Sequence, residues 1–282
     1  MSQPGDTRPL AIVCGGGKFP LEVARAAAAA GRKPFLVGIL GAADPAIETF
    51  AHVWLRIGQL GKLFATLHAK EVVDVALIGG LTRPELADLR LDWGAIKRLP
   101  ELAMAFRGGD NHLLGGIAAI FEREGLKVVG AHEIAPELLA PLGPIGSRAA
   151  APQAEADIRM GASLIAALSP FDAGQGVIIA KGRVVAVEAA EGTDAMLARV
   201  AELRQTRRLR LSGLSGVFVK APKRGQDLRL DMPAIGPQTV AAAAKAQLQG
   251  VAVAAGAVLI AERETVARAA DAAGLFVAGY AP

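Results

Sequence analysis

The run LAIVCGGGKFPLEVARAAAAAGRKPFLVGIL, residues 10–40, limits the fold more than any other part of the chain. Leu10 to Val13 is continuously apolar, as a strand covered on both faces must be. A glycine loop follows, Pro20 suits the first turn of a helix, and Gly31 suits its end. A second apolar strand closes the unit. AHVWLRI, GQLGKLFATLHAKE, VVDVALIGG and LKVVGA continue the alternation of strand and helix. The span from Leu86 to Glu124 is helical in character, with a break near Arg107 to Asn111. Strands alternating with helices form parallel sheets, and the right-handed crossover makes such a sheet Rossmann-like. Residues 1–138 are therefore expected to be a Rossmann-like N-terminal domain.

LLAPLGPIGSRAAAPQAE, Leu138 to Glu155, is rich in proline, glycine and alanine, and residues 139–155 read as a linker. Residues 156–282 then form a C-terminal α/β catalytic domain. Its helix from Ala154 to Leu168 precedes VIIAKGRVVAVEA, a hairpin turning at Lys181-Gly182. EGTDAMLARVAELR starts a helix with Thr193 or Asp194 as cap. GVFVKAP and LRLDM read as strands, TVAAAAKAQLQ as a helix, and VAVAAGAVLIA as two short strands around Gly256. ERETVARAADAAG is a last helix, and LFVAGY closes the chain. Hairpins among these elements make the second sheet mixed.

Composition narrows the setting. The chain of 282 residues is 52% hydrophobic but only 4% aromatic, so its cores are built from small side chains packed closely. A net charge of +4 with no lysine-rich block leaves no footprint for nucleic acid. One cysteine, Cys14, excludes a disulfide within the chain and points to a reducing compartment. MSQPGDTRPL has no apolar core for a signal peptide, and no apolar run reaches the roughly 18–20 residues that span a bilayer. The expectation is a cytoplasmic protein.

KAPKRGQDLRLDMPAIG, Lys220 to Gly236, concentrates alternating charge in an alanine-rich chain. On a strand, Asp227, Arg229 and Asp231 would share one face, with Leu228 and Leu230 on the other. Two carboxylates flanking a guanidinium could hold a divalent cation and a phosphate together, since Mg²⁺ takes one or two carboxylates plus waters and phosphate oxygens. Lys220 and Lys223 precede the trio. Pro233, Gly236 and Pro237 then deliver the chain to a helix start near Thr239, where anions are favoured. The alternative is a solvated amphipathic strand laced with weak ion pairs.

Other stretches carry chemistry more faintly. CGGGKFP follows a strand and opens a helix, so Gly15, Gly16, Gly17, Lys18 and Phe19 could approach a phosphate. It matches neither G-x-G-x-x-G nor G-x-x-x-x-G-K-[ST], and a tight strand-to-helix turn explains it equally. GGLTRP places Gly80, Leu81, Thr82 and Arg83 at another strand's carboxyl end, where open sheets bind ligands. FRGGDNH supplies Arg107, Asp110, Asn111 and His112, and no two histidines have metal-ligand spacing. VEAAEGTD gathers Glu188, Glu191, Gly192, Thr193 and Asp194 at one corner. Capping explains Thr193 or Asp194 but not Glu188. Cys14, at a buried strand end, reads as core.

In order, AIVCGGGKFP, IGGLTRP, GDNHLL, VEAAEGTDAML and GVFVKAPKRGQDLRLDMPAIGPQTV resemble the bacterial UDP-2,3-diacylglucosamine pyrophosphatases of the LpxI type, over Leu10 to Gly279. Arg224 stands where that family is expected to have proline, and the MSQPGDTRP leader is extra. The resemblance implies hydrolysis of UDP-2,3-diacylglucosamine to UMP and 2,3-diacylglucosamine 1-phosphate (lipid X) in lipid A biosynthesis, dependent on Mg²⁺ or Mn²⁺. Water would attack the sugar-side phosphorus. It further implies a homodimer, a lipid product held between the two domains, and peripheral contact with the cytoplasmic face of the inner membrane. The family's essential aspartate falls on Asp227, with Asp231 assisting. Lys220, Lys223 and Arg229 would offset phosphate charge, while Glu188 and Asp194 are further metal candidates. The glycine loops, Asp110, Asn111, Glu191 to Thr193, Gly236 and Thr239 would contact substrate. Two other readings stand beside this one: a noncatalytic nucleotide-sugar-binding protein, and an NAD(P)-dependent oxidoreductase. The second lacks an acidic residue at the end of its second strand, since GILGAAD offers only Asp44, several residues late.

Overall fold

The computed structural model of the chain describes residues 8–81, 91–107 and 109–282. Two compact units result. The first comprises the chain up to Glu137 together with Asp227–Asp231, and the second comprises Leu138–Gln226 and Met232–Pro282.

In the first unit, strands β1 (Leu10–Cys14), β2 (Pro34–Ile39), β3 (His52–Leu55), β4 (Asp74–Ile78) and β5 (Lys127–Val128) form a sheet of order β3-β2-β1-β4-β5. Every pairing in it is parallel. Crossovers are made by helices α1 (Phe19–Ala29) and α2 (Leu60–Ala69), and by α3 (Trp93–Lys97), α4 (Leu99–Ala105) and α5 (Asp110–Arg123) between β4 and β5. The short helix α6 (Ala131–Ile134) follows β5. The expected break in the long helical span lies between α4 and α5. Strand order reverses direction at β1 and β4, so the loops after these two strands meet at the switch point of the sheet. Phe64 and Phe121 meet edge to face in the core, 5.2 Å between centroids. Leu230 packs against the same cluster, which anchors the returning segment Asp227–Asp231.

The second unit is built on a six-stranded sheet of order β6-β13-β11-β9-β7-β8. Its strands are β6 (Gly143–Pro144), β7 (Gly176–Ala180), β8 (Arg183–Val187), β9 (Val217–Lys220), β11 (Gly250–Ala254) and β13 (Phe276–Tyr280). The strands β9, β11 and β13 run parallel, whereas β7 is antiparallel to β8 and β9, and β6 to β13. The sheet is mixed, as expected. Helices α7 (Pro152–Leu168), α8 (Gly192–Gln205), α9 (Pro237–Lys245) and α10 (Arg263–Ala273) accompany it. A separate parallel pair joins β10 (Ala234–Ile235) to β12 (Leu259–Ile260).

One local sequence signal explains the hairpin of this unit. Lys181 and Gly182 both have positive φ, 54° and 71°, so they form the tight turn that a two-residue hairpin requires. The buried Asp157 carboxylate on α7 accepts from both turn amides, at 2.9 and 2.7 Å, and locks the hairpin to the helix. The segment 139–155 is tied into this unit. Ala140 N donates to Val258 O at 2.8 Å, and β6 pairs with β13.

Candidate functional site

The charged stretch departs from its sequence reading. Asp227, Arg229 and Asp231 are not on a strand; residues 228–230 form a turn. Leu230 N and Asp231 N both donate to Asp227 O, at 3.0 and 3.2 Å, as in a single helical turn. The cause lies in Asp227 itself. Its Oδ1 accepts from Arg229 N at 3.0 Å, a local side-chain bond that competes with strand pairing. Arg229 then closes on the same carboxylate, with Nη2 at 2.7 Å from Oδ2 and Nε at 3.1 Å from Oδ1. Its Nη1 reaches Glu122 Oε1 on α5 at 3.2 Å. The guanidinium holds the Asp227 carboxyl below the usual carboxylate range, and Asp227 in turn raises Arg229.

The turn is seated at the carboxyl end of β5, where Gly130 is required. A Cβ there would lie 2.5 Å from the His132 ring and 3.0 Å from Arg229 Cα. His132 adds to the positive field on Asp227, and its Nδ1 is buried without a hydrogen-bond partner. Sequence reasoning missed Glu122, Gly130 and His132. No spacing rule could have joined them to residue 227, because their proximity exists only after the chain returns to the first unit.

In the second unit the corner of VEAAEGTD meets the end of β9. Thr193 does not cap α8, whose first turn follows Glu191 without a side-chain cap. Its hydroxyl donates to Glu188 Oε1 at 2.7 Å and accepts from Lys220 Nζ at 2.7 Å. Lys220 Nζ also lies 3.7 Å from Glu188 Oε2, with both side chains nine-tenths or more buried. Lys223 Nζ is bound at 2.5 Å to Asp172 Oδ1 in the loop after α7. Asp172, in the left-handed region at φ 50°, gave no sequence signal. Glu191 turns to Arg199 at 2.9 Å, Gly192 takes φ 79°, and Asp194 is exposed in the first turn of α8. Gly236 precedes α9, and its amide donates to the buried Thr239 hydroxyl at 3.3 Å. That bond gives Thr239 a capping role.

The glycine loops meet at the switch point of the first sheet. Gly16 N donates to Gly80 O at 2.7 Å, Gly80 N returns to Gly16 O at 3.1 Å, and Gly15 N donates to Ile78 O at 2.8 Å. A Cβ on Gly15 would stand 2.7 Å from Gly79 O. Close approach of the two loops therefore accounts for these glycines, and the amides of Gly15, Gly16 and Gly80 are spent on the protein. Gly17 and Lys18 lead into α1, Phe19 is its first residue, and the exposed Leu81 ends the described part of the second loop. Thr82 and Arg83 lie outside the described residues, as do the side chains of Asp110 and Asn111 in the first turn of α5. Cys14 is buried core: its thiol is pushed up to about 12 by burial.

No group of three or more His, Cys, Asp or Glu side chains that could hold a metal occurs among the described residues. Mg²⁺ needs fewer protein ligands than that, because waters and phosphate oxygens complete its shell. Asp227 and Asp231 fit such an ion in donor type, being hard oxygen ligands. Glu188 fits less well, since it is buried beside the Lys220 ammonium, whereas Asp227 and Arg229 are exposed to water that screens their charges.

Family models cover both units. The LpxI N-terminal domain matches residues 9–138 and the LpxI C-terminal domain residues 141–278. The chain belongs to the LpxI family. A curated LpxI relative, the UDP-2,3-diacylglucosamine pyrophosphatase LpxI of Caulobacter vibrioides, is 40% identical over 275 residues, covering 98% of each chain. The two LpxI domain matches leave residues 139 and 140 between them, next to the boundary of the compact units at Glu137 and Leu138. No helix among the described residues is long and apolar enough to cross a membrane.

Proposed function

We propose that the chain hydrolyses the pyrophosphate bond of UDP-2,3-diacylglucosamine to UMP and 2,3-diacylglucosamine 1-phosphate in lipid A biosynthesis. The observation that carries this reading is the 40% identity, over 98% of both chains, to a relative bearing that activity in its name. Full-length coverage matters here, because it includes both units and every charged cluster described above.

Cleaving a phosphoric anhydride demands that charge on the non-bridging oxygens be offset and that a water be held in line with the leaving oxygen. Asp227, with Asp231, would hold Mg²⁺ or Mn²⁺, which when bound neutralises pyrophosphate charge. Asp227 also orients the water. Its carboxylate, kept ionised by Arg229, accepts a hydrogen bond from that water. The water oxygen bonds to the sugar-side phosphorus and gives up a proton to the surrounding solvent, while the bond from that phosphorus to the bridging oxygen breaks and UMP leaves with the electron pair. Arg229, Lys220 and Lys223 offset the charge on the phosphate oxygens, each already oriented by an acidic partner. A homodimer and peripheral contact with the inner membrane, which supplies the diacylated substrate, belong to the same proposal. Sedimentation alone and with vesicles reads both.

Incubation with UDP-2,3-diacylglucosamine tests the reading directly. UMP should be released with Mg²⁺ or Mn²⁺ and cease with EDTA. Binding of the substrate with no UMP under any divalent cation would leave a noncatalytic binding protein instead.

A further inference from the structure

The Glu188 carboxylate is held in a slot shaped for it. A Cβ at Gly176 would stand 2.6 Å from Glu188 Oε2, and one at Gly174 2.6 Å from Glu188 Cγ. Glu188 N donates to Gly176 O at 2.8 Å and Gly174 N to Glu188 O at 3.1 Å, so the backbone fixes the residue as well. What this buried carboxylate faces is a hydroxyl and an ammonium. Thr193 has a single hydroxyl proton, and donating it to Oε1 leaves only a lone pair to offer Lys220. The direction of the chain from Lys220 Nζ through Thr193 Oγ1 to Glu188 Oε1 is thereby determined, with an ionised group at each end to strengthen it. Glu188 Oε2 is buried and accepts no hydrogen bond. Its compensation is the Lys220 ammonium 3.7 Å away, itself 5.8 Å from the centre of the Phe218 ring. A divalent cation bound to Oε2 at about 2.1 Å would lie within about 6 Å of that ammonium, inside a buried site where like charges repel strongly.

We propose that Glu188 is a positioning residue, not a metal ligand: through the Thr193 hydroxyl it holds Lys220 at the end of β9 as a preorganised cation for a substrate phosphate oxygen. This rests on the pyrophosphatase reading. Preorganisation favours the transition state because no side chain must be reordered as charge develops. Thr193, on this account, touches Lys220 and not the substrate.

The test compares Glu188→Gln, Thr193→Val and Thr193→Ser in the full chain, with thermal melts alongside. Glu188→Gln and Thr193→Val should lower kcat about 10- to 100-fold with KM shifted less than about threefold. Thr193→Ser, which keeps the hydroxyl, should recover most of kcat. The Mg²⁺ concentration for half-maximal rate should be unchanged in all three. A Glu188→Gln enzyme rescued by excess Mg²⁺ would overturn the proposal in favour of metal ligation. Loss of melting temperature with kcat intact would reduce the cluster to a structural ion pair. A second readout needs no turnover: the NMR signal of the Lys220 ammonium, assigned through Lys220→Arg. It should exchange slowly in the parent and in Thr193→Ser, and rapidly in Thr193→Val. Equal exchange in all three would overturn the proposal, while parent protein that shows the signal but releases no UMP would sink the pyrophosphatase reading alone.

Discussion

At the scale of single residues, the proposed hydrolysis turns on the Asp227 carboxylate. Asp227→Asn keeps the shape of the turn but removes the charge that Arg229 grips, and should reduce turnover by at least about 100-fold in steady-state assays. Because its folded pKa is depressed, Asp227 contributes stability above its unfolded pKa, and that contribution is lost as pH falls through the folded value. Arg229→Met should therefore move the Asp227 carboxyl titration, read by carbon-13 NMR, upward toward the ordinary aspartate value. An unmoved titration would assign the depression to some other group. Cys14 offers a control of a different kind. With its thiol raised to about 12 by burial, it should resist iodoacetamide in native protein at pH 8 and react once the chain is unfolded.

At the scale of elements, the sequence was a good guide wherever one local rule governed. The hairpin of β7 and β8 was legible from Lys181-Gly182, and β1 from its unbroken apolar run, because turn chemistry and burial periodicity act over a few residues. LRLDM failed as a strand for an equally local reason. Alternating charge suits a strand, but an aspartate that can bond its own backbone two residues on suits a turn, and Arg229 strengthens that choice. The pairing of Glu188, Thr193 and Lys220 is half legible: the sequence marks each residue as a candidate, while their mutual bonding requires β9 to arrive beside the corner. Two element-level predictions follow from packing. Asp157→Ala leaves the Lys181 and Gly182 amides without their shared acceptor, and should cost about 1–3 kcal/mol, visible as a lower Tm. Gly79→Ala should destabilise more than Gly80→Ala. The first has φ 101° and would place a Cβ 2.6 Å from Gly16 O, whereas a Cβ on Gly80 meets nothing within 4 Å. Urea midpoints of the two variants check the contrast.

At the scale of the whole molecule, two α/β units of different sheet type carry separate charged clusters. Alternation of strand and helix revealed the parallel sheet of the first, and the hairpin revealed the mixed sheet of the second. The return of Asp227–Asp231 to the first unit was not legible, because a Leu230 that packs on a distant core looks like any leucine in sequence. Isotope placement reports which phosphorus of UDP-2,3-diacylglucosamine the water attacks. In water enriched in oxygen-18 with Mg²⁺ present, attack at the sugar-side phosphorus should give unlabelled UMP and a 2,3-diacylglucosamine 1-phosphate carrying the label. Label in UMP, or no cleavage at all, would contradict it.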